Sequence, residues 1–411
     1  MLGSAVARSS LEPRGRCGPP LWARWNDELD QRYTLGVEEE VMLLEPANWS
    51  LAQSSDEVLA RLSDDLALHT SAETHAAVLE LITGVQPDVH GILTELDRRR
   101  HQLAGELRDM GLTAAVSGTH PLDDGAHAAV SGAARYRLVA QSMRLLALRE
   151  PTMALHVHVG VPCPEDAVRL LNALRRSAPI LLALSANSPF CRGRDAGFAS
   201  ARTVIFQAFP RTGLPRVFAS YADYVDAVDV LISSGAIPDP SFLWWDVRPQ
   251  PTLGTVEVRI MDAQTVVADV AALVALVQSL ARLELEGEAA TAEPSDEVLA
   301  ENRFLAARDG MDARLIDPAT HRLVAVRETL AALLDRCRPH ALKLGCAPEL
   351  ERVSQLAANN GVDRQRAIAA RGGTLDHLTA CLAHSFLTPY LPQNGRVRDV
   401  LRVGPPCPAG R

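Results

Sequence analysis

Residues 34–44 read TLGVEEEVMLL, and the fold turns on how that run is placed. Its β-branched and apolar content, alternating with acids, predicts a strand. In a strand, Glu38 and Glu40 share one face, and Val37 and Val41 take the other. Two more stretches repeat the pattern. TMALHVHVGVP (152–162) sets His156 and His158 against Val157 and Val159. FLWWDVRPQPTLGTVEVRIMD (242–262) reads as a hairpin around PTLG, with Glu257 and Arg259 opposed to Val256, Val258 and Ile260. One face of the sheet is therefore apolar, and the other carries carboxylates, imidazoles and guanidinium.

Around these strands, helical spacing predicts a helix over 88–110, stopped by Gly111, and others over 164–186 and 266–286. SSDEVLARL (54–62) reads as a short capped helix, 112–118 as a strand and 127–148 as a helix. The stretch 68–88 is strand-like at both ends, although its Ala-Ala-Val-Leu-Glu-Leu part suits a helix equally. Residues 187–216, rich in Arg, Gly, Ser and Pro yet containing Phe198, Phe206 and Phe209, read as a long ordered loop over a site. From 293 onward the pattern is helical with breaks. Hairpins without regular βαβ alternation argue for an α+β fold with a mainly antiparallel sheet, not a doubly wound one. The expected organisation is a disordered leader over 1–30, a single domain over 31–387 and a flexible tail over 388–411.

Composition narrows the function. The chain has 411 residues, of which 47% are hydrophobic and 22% charged, as in an ordinary globular protein. Forty-one basic against fifty acidic side chains give a net charge of −9, which disfavours nucleic acid or anionic lipid as partner. Lys343 is the sole lysine, so almost every cation is a guanidinium, suited to carboxylate or phosphate, and a lysine-based P-loop is excluded. Seven cysteines without CxxC spacing fit a reducing cytoplasm. The most apolar stretch, 266–280, is too short to span a bilayer.

Several carboxylates on one sheet face repel unless a cation neutralises them. Glutamates with a histidine are hard, oxygen-rich ligands that suit Mg²⁺ or Mn²⁺, with phosphate as natural co-ligand and Arg259 as a fork for a phosphoryl group. Each pair alone has a plainer reading: E-x-E and E-x-R also occur on solvated strand faces, and one histidine of H-x-H could be a satisfied core residue. Glu73 and Glu80, seven apart, are uninformative by spacing. Ser117, Thr119 and His120 in SGTHP suit either substrate contact or local turn chemistry, and Trp244 and Trp245 either adenine stacking or core. The strand pairs also admit a metal-dependent hydrolase built on His156 and His158, or a nucleotide-binding protein without turnover.

Seven ordered motifs, GVEEE, AETHAAVLELITGV, SGTHP, LHVHVGVP, ANSPF with FASARTVIFQAFP, LWWDVRPQPTLGTVEVRIMD and ENRFLAARDG, resemble the glutamate-cysteine ligase type 2 family, in its bacterial ATP-dependent carboxylate-amine ligase branch. The resemblance runs from Tyr33 to His384. It implies a glutamine-synthetase-like catalytic domain, its curved sheet holding ATP and two or three Mg²⁺ ions. It also implies metal ligation by Glu38, Glu40, Glu73, Glu80, His156 and Glu257, with Arg259 on the ATP phosphates and Arg202 on the carboxylate of the amino-acid substrate. The activity implied is amide formation through an acyl phosphate, with weak turnover of glutamate and cysteine. Catalysis would rest on Arg259 and Glu257. Partners are then small molecules, and the resemblance permits a homodimer.

Overall fold

A computed structural model describes residues 18–27, 32–287 and 293–388. Its strands are β1 (Leu35–Leu44), β2 (Thr70–Ala72), β3 (Val78–Ile82), β4 (Thr113–Ala115), β5 (Ala154–Gly160), β6 (Phe190–Cys191), β7 (Arg194–Asp195), β8 (Thr212–Gly213), β9 (Trp244–Trp245), β10 (Val247–Gln250), β11 (Thr255–Asp262), β12 (Arg314–Asp317) and β13 (Arg322–Ala325). The α-helices are α1 (Ser55–Leu59), α2 (Asp64–Ala67), α3 (Val89–Asp109), α4 (Ala134–Met143), α5 (Pro164–Ser185), α6 (Ala201–Phe206), α7 (Tyr221–Ser233), α8 (Val267–Glu286), α9 (Asp296–Asp309), α10 (Val326–Leu344), α11 (Ala347–Ala358), α12 (Gly361–Ala370) and α13 (Leu375–Ser385).

The central sheet has seven strands in the order β10-β11-β5-β1-β3-β2, with β4 pairing the far half of β1. Every pairing in it is antiparallel. The fold is α+β, as expected. Val37, Val157, Val159, Val256 and Val258 are each no more than 1% exposed and form the sheet side of the core. Behind them α8, apolar on nearly all sides, packs against α3, α5, α10 and α11. Complete burial explains why this helix has few polar positions.

One charge crosses to the apolar side. Glu39 alternates with Glu38 and Glu40, so it faces the core, where it is fully buried. Arg100 of α3 meets it there with two donors, and also donates to the carbonyls of Gln264, Thr265 and Phe386. A buried carboxylate is tolerable only with such a partner.

Several local expectations are corrected. The undecided stretch 68–88 is a hairpin, β2 to β3, with Glu73 in its turn. The helix predicted from 127 begins only at Ala134. Upstream, Gly125 has a left-handed φ of +77°, and the Gly132 N–H donates to Asp56, so this stretch is a loop laced to its neighbours. The loop 187–216 contains α6 and short strands, and the region after 293 contains the β12–β13 hairpin.

The leader expected over 1–30 does not hold for residues 18–27. Ala23 is fully buried, and its carbonyl accepts from the Tyr221 hydroxyl at 2.7 Å. Trp25 donates to the Val161 carbonyl at 3.0 Å, and Trp22 packs edge-on against Tyr224. Residues 1–17 and 28–31, and the expected tail after 388, lie outside the described residues. A chain truncated to begin at residue 28 is expected to lose about 2 kcal/mol of stability, the order of one large apolar side chain taken from the interior. A thermal melt indistinguishable from that of the full chain would restore the dispensable leader.

Candidate active site

Register brings the polar side chains of the sheet together. Glu40 of β1 stands opposite Glu80 of β3, Glu38 opposite His156 of β5, and His158 opposite Glu257 of β11. Glu257 is in turn opposite Arg248 of β10. The result is a diagonal row across five strands, in which two glutamates face each other directly, a costly pairing unless something cancels their charge. A register shift between Val258 and Met261 marks a bulge in β11 beside His156. Bulges of this kind re-aim side chains, and here Arg259 reaches both Glu257 and His156.

The distances are short throughout. His156 Nδ1 lies 3.0 Å from Glu38 Oε2, 3.7 Å from Glu80 Oε1 and 3.8 Å from Glu257 Oε1. His158 Nε2 lies 3.3 Å from Glu38 Oε1. Glu73, in the β2–β3 turn, accepts from the Thr74 N–H at 2.6 Å and joins Glu40 and Glu80. Three groups have ligand atoms close enough to share a cation: Glu38–Glu80–His156, Glu38–His158–Glu257 and Glu40–Glu73–Glu80.

Proton affinities follow from the crowding. Burial, and next the charge of Glu73, push the Glu40 carboxyl up to about 8. Burial and the acids Glu38, Glu73 and Glu40 raise Glu80 well above the ordinary carboxyl range. Burial would raise Glu257 too, but Arg248 and Arg259 beside it hold it well below that range. Glu38 is also low, because His158 and His156 outweigh its burial. Burial and Arg259 lower His156 to about 4, whereas Glu38 and Glu257 overcome the burial of His158 and raise it.

The donor set fits hard divalent cations. Burial and mutual repulsion raise Glu40 and Glu80, which a cation would relieve, and His156 Nε2 is buried without a hydrogen-bond partner. Five glutamates and two imidazoles offer mostly oxygen ligands and no thiolate, the chemistry of Mg²⁺ or Mn²⁺ sites. Among the described residues, no three-ligand group contains both histidines, so the zinc arrangement required by a His156/His158 hydrolase is not assembled.

Of the residues singled out in the sequence, Glu38, Glu40, Glu73, Glu80, His156, Glu257 and Arg259 converge here. Arg202 sits on α6 beside them, 5% exposed, donating to the carbonyls of Ile260 and Arg259, and lines the same cavity as Glu40, Glu73 and Arg259. Trp244 borders that cavity, whereas Trp245 packs against Phe218 and Tyr224. Ser117 and Thr119 donate to backbone carbonyls, and His120 Nε2 lies 2.8 Å from the Trp49 carbonyl oxygen, in accord with the turn-chemistry reading.

The ligand set implied by the resemblance leaves out His158, whose Nε2 lies 3.3 Å from Glu38, and sequence reasoning missed Arg248 and Gln250, which donate to Glu257 at 2.7 and 2.6 Å. Alternation along the predicted hairpin was the available signal. It places both on the face of Glu257.

The site lies on the acid-rich, imidazole-bearing face of an antiparallel sheet in an α+β fold. The fold agrees with solved structures: a glutamate–cysteine ligase from Francisella tularensis in complex with AMP (TM-score 0.62, 12% identity, 89% of this chain and 91% of that one). A bifunctional glutathione synthetase from Pasteurella multocida gives 0.61 at 14% identity, over 87% of this chain and 52% of that one. The glutamate-cysteine ligase family 2 model matches residues 34–383. The chain belongs to that family, in its bacterial ATP-dependent carboxylate-amine ligase branch. It is similar to a putative glutamate–cysteine ligase 2-1 of Rubrobacter xylanophilus, 40% identical over 85% of this chain and 94% of the relative. A putative glutamate–cysteine ligase 2 of Thermobifida fusca is 34% identical over 92% and 98%. Among the described residues, no helix is long and apolar enough to cross a membrane.

Proposed function

We propose that this chain is a cytoplasmic ATP-dependent carboxylate-amine ligase that forms an amide through an acyl phosphate, with weak activity on glutamate and cysteine. The supporting observation is the convergence of Glu38, Glu40, Glu73, Glu80, His156 and Glu257 beside Arg259. These six, joined by His158, would hold two or three Mg²⁺ ions, which supply the charge that neutralises the triphosphate.

The chain's own groups divide the remaining work. Arg259 presents a fork to the phosphoryl oxygens and stabilises the charge spread over them during transfer. Glu257 fixes Arg259 from one oxygen, while Arg248 and Gln250 hold its other oxygen in place. Arg202 takes the carboxylate of the amino-acid substrate. The buried valine layer beneath the site keeps water from that side, where it would hydrolyse an acyl phosphate. In the second half-reaction, the amine nitrogen bonds to the acyl carbon as the carbon–phosphate oxygen bond breaks. The nitrogen gives up one proton to the departing phosphate and one to solvent.

The test is ADP release from purified protein with Mg²⁺ and ATP, amino acids being offered singly and in pairs. Glutamate with cysteine should give a small signal above either alone. Turnover of substrate without ATP, or nucleotide binding with no ADP release across a broad panel of acids and amines, would replace the ligase reading. Arg202→Gln is expected to raise the KM for the amino acid roughly 10- to 100-fold, the scale of one charged hydrogen bond, with the KM for ATP little changed. An equal rise in both would remove the carboxylate role.

A further inference from the structure

The cavity beside the acid cluster has a wall that glutamate and cysteine do not explain. Arg202 and Ile205 lie three residues apart on α6, and Phe206 one further, so all three share a face. The Arg202 guanidinium carbon lies 5.7 Å from the Phe206 ring centroid, and its Nε is buried without a partner. Beyond Phe206 the wall continues through Phe209, at 5.6 Å between centroids, to Trp244, edge-on to Phe209 at 6.0 Å. Val139 of α4, 2% exposed, also lines the cavity. The wall is anchored: the Trp244 N–H donates to the Arg211 carbonyl, and β8 pairs with β9.

A carboxylate-binding guanidinium and an apolar surface within one helical turn match one small molecule, an α-amino acid, whose carboxylate and side chain diverge from a single carbon. Of the other guanidiniums lining the cavity, Arg135 is engaged by Ser241 and Arg259 by Glu257 and His156, so glutamate would press its second carboxylate against rings that cannot solvate it, and cysteine would leave most of the surface uncovered. Adenine suits the rings but offers nothing to Arg202. Resting on the ligase reading above, we infer that the amine substrate is an α-amino acid with a large apolar or aromatic side chain. Its carboxylate sits on Arg202, its side chain lies against Phe206, Phe209 and Trp244, and its nitrogen points toward the Glu40–Glu73 end of the cluster.

The full chain with Mg²⁺ and AMP-PNP should bind L-phenylalanine and L-leucine at least ~10-fold more tightly than L-cysteine by calorimetry, the discrimination an apolar pocket provides for a few methylenes. Phe209→Ala should weaken phenylalanine binding by a similar factor and leave AMP-PNP binding unchanged. Phe206→Ala serves as the second variant should the first fail to fold. Cysteine binding as tightly as phenylalanine would overturn the inference. So would loss of AMP-PNP affinity in Phe209→Ala, which would give the wall to adenine. In ADP release with L-glutamate as the acid, activity with cysteine alone sinks the inference and spares the ligase reading. Tight phenylalanine binding with no ADP release from any pair does the reverse, keeping the wall assignment and removing the ligase.

Discussion

Glu257→Gln is expected to cut ADP release by ~10²-fold or more, the scale on which one preorganised electrostatic partner contributes to a transition state. The glutamate is fully buried, and its two oxygens are shared among Arg248, Gln250 and Arg259. An amide keeps the shape but removes the charge that balances two guanidiniums, so Arg259 loses its anchor and the Glu38–His158–Glu257 group loses one of its two carboxylates. Retained far-ultraviolet dichroism together with the activity loss would place the effect in the site. Activity within a factor of two of the parent would return E-V-R to an ordinary structural ion pair.

Arg100→Met is expected to cost about 3–5 kcal/mol of stability, the usual result of stranding one member of a buried ion pair. Glu39 would remain in the core with no cation, and three carbonyls would lose a donor. Adding Glu39→Leu should recover part of the loss, because the stranded charge is then gone. Urea midpoints of the two single variants and the double variant decide it. A shift under about 1 kcal/mol for Arg100→Met would mean that water reaches this pair.

Strand faces were legible in the sequence because a period of two leaves no freedom once one side is apolar. Glu38 and Glu40, His156 and His158, and Glu257 and Arg259 could be sorted by alternation alone. Glu39 went unread, although the same alternation puts it on the apolar side, where Arg100 of α3 meets it. Glu73 was beyond reach, since its place depends on a turn between two short strands in a stretch that also suited a helix. Arg248 required the hairpin register as well as its faces. The β12–β13 hairpin hid among helical segments because its strands are four residues each, too short for periodicity to register. Residues 18–27 looked like a leader because their two prolines and Arg24 mask two tryptophans that find a home only on α7 and beside β5.

The diagonal row also governs when this molecule can become competent. Its members come from positions 38 to 259: β1 and the β2–β3 hairpin supply Glu40, Glu73 and Glu80, but both groups that contain a histidine wait for β5, and one of them for β11, so a nascent chain emerging from the ribosome completes the cleft late. The last acid, Glu257, arrives with the hairpin near residue 250 together with its partners Arg248 and Arg259, while Glu40, Glu73 and Glu80 stay crowded against one another. A divalent ion that binds this arrangement and not the unfolded chain therefore acts as a late folding ligand, and its binding free energy is added to that of folding. Magnesium should raise the melting temperature in the complete absence of nucleotide, and chelation should lower it.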